Sequence, residues 1–367
     1  MSNNNRLVFG IIVCCLVMGL RPGHGADPFE GAPPLWPLVH EPAVIADLEL
    51  SREKLERFRS LVDSFDTRFF PLRNHAAETV AGEVTEVLGE LTVELQGLLS
   101  KAEYGRLLQI QLRVQGTPAL MQPELAGLMQ YSPEQRQELE RVINDALTGT
   151  TALRERLAKG EPRAALEAEY IRLKAAEGKT IQSLLEPRQV ALWNKLLGPD
   201  FALDRLGHPT YRAPEFFDSG HWINSEPVRL EDVSGKVVVV HFYACGCINC
   251  IHNYPVYLDW SRRFRGQDVA IIGIHTPETA VEASVEHVRE RAAEAGFNFP
   301  VLIDPDKANW NAWGNSMWPS VYLIDKWGRL RSFWPGELRW QGATGDEWMA
   351  ARIEELLAER KSPTPGD

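Results

Sequence analysis

Residues 237–255 read VVVVHFYACGCINCIHNYP. Every residue from 237 to 243 except His241 is β-branched or aromatic, with no polar alternation. Such a run is expected to form a strand buried on both faces. It stops at Ala244-Cys245-Gly246, and Cys247-Ile248-Asn249-Cys250 then leads into a helical segment over 251–264. A Cys-x-x-Cys at the point where a buried strand hands over to a helix is a redox arrangement with a physical basis. The unpaired N–H groups and the dipole at the helix N-terminus favour thiolate over thiol at Cys247. Cys250, one turn on, is near enough to attack a mixed disulfide formed there. Cys247 is therefore the expected nucleophile and Cys250 the expected resolving thiol, against the plainer readings of a structural disulfide or a metal pair.

The chain has 367 residues, room for two modest domains and a leader. With 24% charged and 44% hydrophobic residues it has the composition of a globular protein. A net charge of −11 speaks against nucleic acid and anionic lipid as partners. Arg6 precedes an apolar run over 7–20 that suits a signal peptide and is short for a spanning helix. Small residues at Gly23, Gly25 and Ala26 offer a cleavage site, so 1–25 is expected to be a cleaved signal and the mature protein to be exported, to the periplasm or cell envelope. Of the 5 cysteines, Cys14 and Cys15 would leave with the signal. Cys245, Cys247 and Cys250 remain. Exported proteins that use disulfides structurally spread their cysteines; clustering at one site points to chemistry.

Pro28, Pro33, Pro34, Pro37 and Pro42 mark residues 26–45 as an extended linker. Residues 46–199 read as a separate all-α domain, a helical bundle or hairpin. Val84, Leu88, Leu91, Leu95 and Leu98 form one apolar stripe. Ser100 with Glu103 and Ser132 with Gln135 have capping-box spacing. Leu139, Val142, Ile143 and Leu147 are the apolar face after the second box. Nothing in this region is catalytic; a spacer or dimerisation bundle is preferred to a chaperone surface. Pro209, Pro214 and Pro227 make 200–227 a connector. From 228 strand and helix alternate: a short strand at 228–230, the strand and helix of the opening stretch, a strand at 269–275, a helix over 278–295, a paired strand hairpin at 320–324 and 331–334, and a last helix over 345–359. The tail, 360–367, is expected to be disordered. Residues 228–359 thus predict an α/β domain with a central mixed sheet flanked by helices, of the thioredoxin type.

Trp222-Ile223-Asn224, Gly235-Lys236-Val237-Val238, Cys247-Ile248-Asn249-Cys250, Gly273-Ile274-His275-Thr276-Pro277-Glu278, Trp310-Asn311-Ala312-Trp313-Gly314-Asn315 and Trp318-Pro319-Ser320-Val321 stand in this order. Together they resemble the TlpA-like, DipZ-like branch of the thioredoxin superfamily, over about 214–340. The resemblance implies thiol–disulfide exchange on protein thiols and disulfides at Cys247 and Cys250, with no cofactor and no metal. It also implies that Pro319 is a cis-proline facing the cysteines and lining the substrate groove. Trp318 would then wall that groove, and Ile248 and Asn249 are the other candidate substrate contacts. His241 lies six residues before Cys247, where thioredoxin carries a buried aspartate, and is the candidate acceptor for the Cys250 proton. His252, His275 and Cys245 read as structural. Gly246 replaces the tryptophan that precedes the nucleophile in thioredoxin, and Ile248-Asn249 replaces Gly-Pro. The redox direction is therefore open, as is the need for a membrane electron donor. Three other functions compete. Cys245, Cys247, Cys250 and His241 or His252 could hold copper, although the Cys-x-x-x-Cys of copper-delivery relatives is absent. A peroxidase would need a hydroxyl where Ala244 stands. A non-enzymatic binding protein would work through the helical domain.

Overall fold

The computed structural model describes residues 34–73, 75–207 and 209–360. The expected signal peptide, and all of the expected disordered tail but Arg360, lie outside the described residues. Helices α1 (Leu35–His40) and α2 (Pro42–Asp47) occupy most of what is described of the stretch expected to be an extended linker. Trp36, Leu38, Val44 and Ile45 are buried there. Pro42 is the first residue of its helix, where a missing N–H costs nothing, so a proline-rich composition is compatible with two short helices.

Helices α3 (Arg52–Phe69), α4 (Ala77–Leu98), α5 (Lys101–Gln115), α6 (Pro123–Met129), α7 (Pro133–Ala158), α8 (Arg163–Leu184) and α9 (Pro187–Leu197) follow. The Ser100–Glu103 and Ser132–Gln135 boxes are both reciprocal in the structure. The chain divides into two compact units: one takes α1, α2 and Leu99–Pro209, the other takes Ser51–Leu98 together with the chain from Thr210 onward. The contiguous helical block expected over 46–199 is thus distributed over both. Periodicity tells a helix to bury a stripe but not against which body.

In the helical unit Leu120, Leu125, Met129, Leu139, Val142, Ile143, Ile181 and Leu185 form the core. Leu147 is instead 47% exposed; the inward stripe of α7 continues through Ala146 and Leu153.

The other unit is built on one sheet. Its strands are β1 (Tyr211–Arg212), β2 (Trp222–Ile223), β3 (Val237–Tyr243), β4 (Val269–His275), β5 (Val301–Ile303), β6 (Ser320–Ile324) and β7 (Arg329–Pro335), in the order β1-β7-β6-β3-β4-β5-β2. Around it run α10 (Ile248–Arg263), α11 (Val285–Glu294), α12 (Ala308–Ala312) and α13 (Gly345–Ala358). Strand β3 is central, parallel to β4 and antiparallel to β6, and buried along its whole length. This is a thioredoxin-like fold. The stretch expected to be a connector supplies both edge strands, β1 and β2, and the strand expected at 228–230 gives way to a 3₁₀ turn, Leu230–Val233. There Asp232 accepts from the Arg229 N–H at 2.8 Å, and this local side-chain bond competes with strand pairing.

Helix α3 is tied to the sheet. The Asp66 carboxylate accepts from the Arg212 N–H at 2.8 Å, and Asp63 pairs with Arg329 at 2.5 Å. Arg73 donates to the Trp313 carbonyl at 2.7 Å and lies over the rings of Phe70, Tyr322 and Phe333. Among the described residues no helix is long and apolar enough to cross a membrane.

Candidate active site

Strand β3 ends at Tyr243, and the loop Ala244-Cys245-Gly246 brings Cys247 to the N-cap of α10. The Cys247 carbonyl accepts from the N–H groups of Cys250 and Ile251 at 3.0 and 3.1 Å, which starts the helix. Its sulfur is half-buried, while Cys250 is 0% exposed and Cys245 1%. All three are thiols here.

The two cysteines of the Cys-x-x-Cys differ in acidity for physical reasons. A hydrogen bond from the Cys250 thiol, helped by backbone N–H groups of Cys250 and Asn249, brings Cys247 down to about 7 against partial burial and the nearby Glu278 charge. Cys250 is pushed far upward, first by burial and then by the hydrogen bond its S–H donates to the Cys247 sulfur. The outer sulfur is thus the more acidic of the two, and burial holds the inner one as a thiol.

Glu282 braces the loop. Its Oε1 accepts from the Gly246 N–H at 2.5 Å, and its Oε2 from the N–H groups of Glu278 and Thr279 at 2.8 and 2.9 Å. A Cβ on Gly246 would sit 2.7 Å from that Oε1, so a larger residue there would push the Glu282 carboxylate aside. The Cys245 thiol points at the same oxygen, at 3.8 Å, and burial followed by that carboxylate pushes it up to about 11. Cys245 is therefore an inert buried thiol near neutrality. Glu282 was not singled out from the sequence, although Thr279-x-x-Glu282 is a legible capping box and forms one.

His241 does not sit as a base. Its ring stacks on Tyr257 at 4.0 Å among Tyr243, Phe297 and Phe299, and neither nitrogen has a hydrogen-bond partner. Burial pushes it down to about 3. His275 is also buried, edge-on to Tyr243, and lowered to about 4 by burial. Among the described residues no three His, Cys, Asp or Glu side chains converge as metal ligands.

The Trp318–Pro319 peptide bond is cis. Pro319 precedes Ser320, which pairs with Phe242 at the end of β3 leading to the cysteine loop, and its carbonyl accepts from the Gly336 N–H at 2.7 Å. Trp318 stacks on Trp310 at 4.0 Å and donates from Nε1 to the Thr276 carbonyl at 3.1 Å. It forms one wall of a groove of about 460 Å³, with Asn249, Met317, Trp334, Glu337 and Trp340 among the lining residues. Ile248 stands beside Asn249, 60% exposed, but does not line the groove. Met317, Trp334, Glu337 and Trp340 had no signal in the spacing of residues, because the segment before β6 and the end of β7 with the loop after it bring them together.

Fold and site define a redoxin domain of the thioredoxin superfamily. The AhpC/TSA family model matches residues 209–333. Protein DipZ of Mycobacterium bovis is 36% identical over 128 residues, 34% of this chain and 18% of that protein. Thiol-disulfide oxidoreductase YkuV of Bacillus subtilis is 27% identical over 146 residues, 40% of this chain and 94% of YkuV. Among solved structures, a thiol-disulfide isomerase from Corynebacterium glutamicum aligns with a TM-score of 0.36 and 28% identity, over 40% of this chain and 97% of that one. The match thus spans less than a fifth of DipZ, and it leaves the helical unit unassigned.

Proposed function

We propose that this protein is a thiol–disulfide oxidoreductase acting on protein disulfides and dithiols through Cys247 and Cys250. The observation that carries the reading is the split in acidity: a half-buried sulfur at a helix N-cap brought down to about 7, beside a buried thiol that donates to it. In the reducing direction the Cys247 thiolate attacks one sulfur of a substrate disulfide. An S–S bond forms to the enzyme as the substrate's S–S bond breaks, and the leaving substrate thiolate takes a proton. Cys250 then loses its proton and attacks Cys247, releasing the second substrate thiolate and leaving a Cys247–Cys250 disulfide. Two electrons pass from enzyme to substrate; the oxidising direction is the same sequence reversed.

Trp318 walls the groove in which a substrate segment would lie, with Asn249 in its lining and Ile248 as an exposed apolar contact beside it; Pro319, expected to line that groove, adjoins Trp318 through the cis bond but is not among the lining residues. His241, lowered to about 3 by burial, is too weak a base to take the Cys250 proton near neutral pH. Peroxide reduction fits less well, because Ala244, three residues before the nucleophile, offers no hydroxyl. The apolar run at 7–20 and the confinement of the remaining cysteines to 245–250 support an exported protein. A membrane protein as electron donor and dimerisation through the helical unit are compatible with that placement. In the test, Cys247→Ser abolishes disulfide reduction, and Cys250→Ser accumulates a mixed disulfide with substrate that dithiothreitol releases. Turnover by Cys247→Ser would sink the reading.

A further inference from the structure

The groove holds one group that substrate exchange does not use. Glu337 follows β7, and its side chain is only 10% exposed. One carboxylate oxygen, Oε2, lies 3.1 Å from His252 Nδ1 on α10. The other, Oε1, is buried and has no hydrogen-bond partner, yet Glu337 is part of the groove lining. A buried carboxylate oxygen without a donor is costly, and an incoming donor recovers that cost. His252 Nδ1 takes up Oε2, so Oε1 is the carboxylate oxygen left for a further donor.

The surroundings select the kind of donor. Trp318, Trp334 and Trp340 line the same groove, and indole faces attract cations. Trp318 already carries the Lys307 ammonium 5.2 Å from its ring. Trp340 is 57% exposed and is the wall open to a newcomer. The neighbouring cation, Arg339, is engaged by Asp346 at 2.7 Å and does not fill the place. A carboxylate beside exposed indole, within a protein of net charge −11, fits a guanidinium or ammonium on an apolar stem.

We infer that Glu337 is a specificity residue that favours substrate proteins carrying an arginine or lysine next to the reacting cysteine. The cationic head pairs with the Glu337 carboxylate, which turns slightly toward the groove to meet it, and the stem lies along Trp340. The inference rests on the exchange reading above, and it names the substrates of that same site.

The test is a single-turnover reaction of the reduced full-length protein with three disulfide-closed peptides. They are identical except for Arg, Gln or Glu beside one cysteine, and product is followed by chromatography. The enzyme dithiol supplies both electrons, so no other reductant is present. The expected second-order rate for the Arg peptide exceeds that for the Gln peptide about tenfold, equivalent to ~1.4 kcal/mol, with the Glu peptide slowest. In Glu337→Gln the Arg-to-Gln ratio falls to near one. Equal rates for the three peptides in the natural protein overturn the inference and leave the exchange reading standing; that comparison needs no variant to fold. A preference that survives Glu337→Gln also overturns it. Failure to reduce any of the peptides sinks the exchange reading, and the inference with it.

Discussion

Removing the Cys250 thiol while keeping its volume small is the sharpest probe of how Cys247 is activated. The hydrogen bond from Cys250 is the largest cause holding Cys247 at about 7 instead of its ordinary 9.0. Cys250→Ala removes that donor and leaves the backbone N–H groups of Asn249 and Cys250 in place. If the whole lowering were lost, the thiolate fraction at pH 7 would fall from ~50% to ~1%. The more basic thiolate is intrinsically more nucleophilic by roughly 6–10-fold, for a Brønsted slope of ~0.4–0.5. The alkylation rate at pH 7 should then drop by at most about 5–8-fold, and the midpoint of the pH–rate profile should move upward. Iodoacetamide trapping read by mass spectrometry over a pH series measures both, with Cys247 identified by its peptide. Cys245, held at about 11 and buried, does not interfere below pH 9. Cys250→Ser keeps an O–H donor and should leave the midpoint nearer the natural value. If the Cys250→Ala midpoint stays where it was, the helix N-terminus alone activates Cys247 and the argument from the paired thiol is wrong.

Two further outcomes are expected. His241 has a folded value of about 3 against an unfolded value of ~6.5. The unfolded chain therefore takes up the proton first, and stability is lost as pH falls from ~6.5 toward 3. His241→Phe, a ring suited to the aromatic nest, should remove this loss and protect by about 2 kcal/mol at pH 5 relative to pH 8; parallel urea curves for natural protein and variant at both pH values would refute it. Arg73→Ala removes a stem packed on three rings and the bond to the Trp313 carbonyl, so unfolding monitored in the sheet-bearing unit should be easier by about 3 kcal/mol. A change too small to measure would mean that residues 51–98 contribute little to that unit.

Much of the site was legible without coordinates because its chemistry is local. An unbroken β-branched run dictates a buried strand, and Cys247 three residues before Cys250 sets one sulfur at a helix N-cap and the other a turn inside. Both statements depend on residues adjacent in the chain. Capping at Ser100 and Ser132 was legible for the same reason. His241 misled because its position in the strand was readable but its neighbours were not: Tyr257, Phe297 and Phe299 come from two other segments, and they make the imidazole a packing group.

By itself the sequence determined the α/β class of residues 228–359, the order of their main elements and the placing of two cysteines where a buried strand hands over to a helix. Tertiary structure alone decided the rest. It assigned α3 and α4 to the sheet-bearing unit, since an amphipathic stripe does not name its partner. It turned the connector into edge strands, because a two-residue strand such as Trp222–Ile223 exists only through its pairing with β5. It set Glu282 against Gly246 and Glu337 among the tryptophans of the groove, since these contacts join residues remote in the chain and depend on where the folded sheet carries its loops.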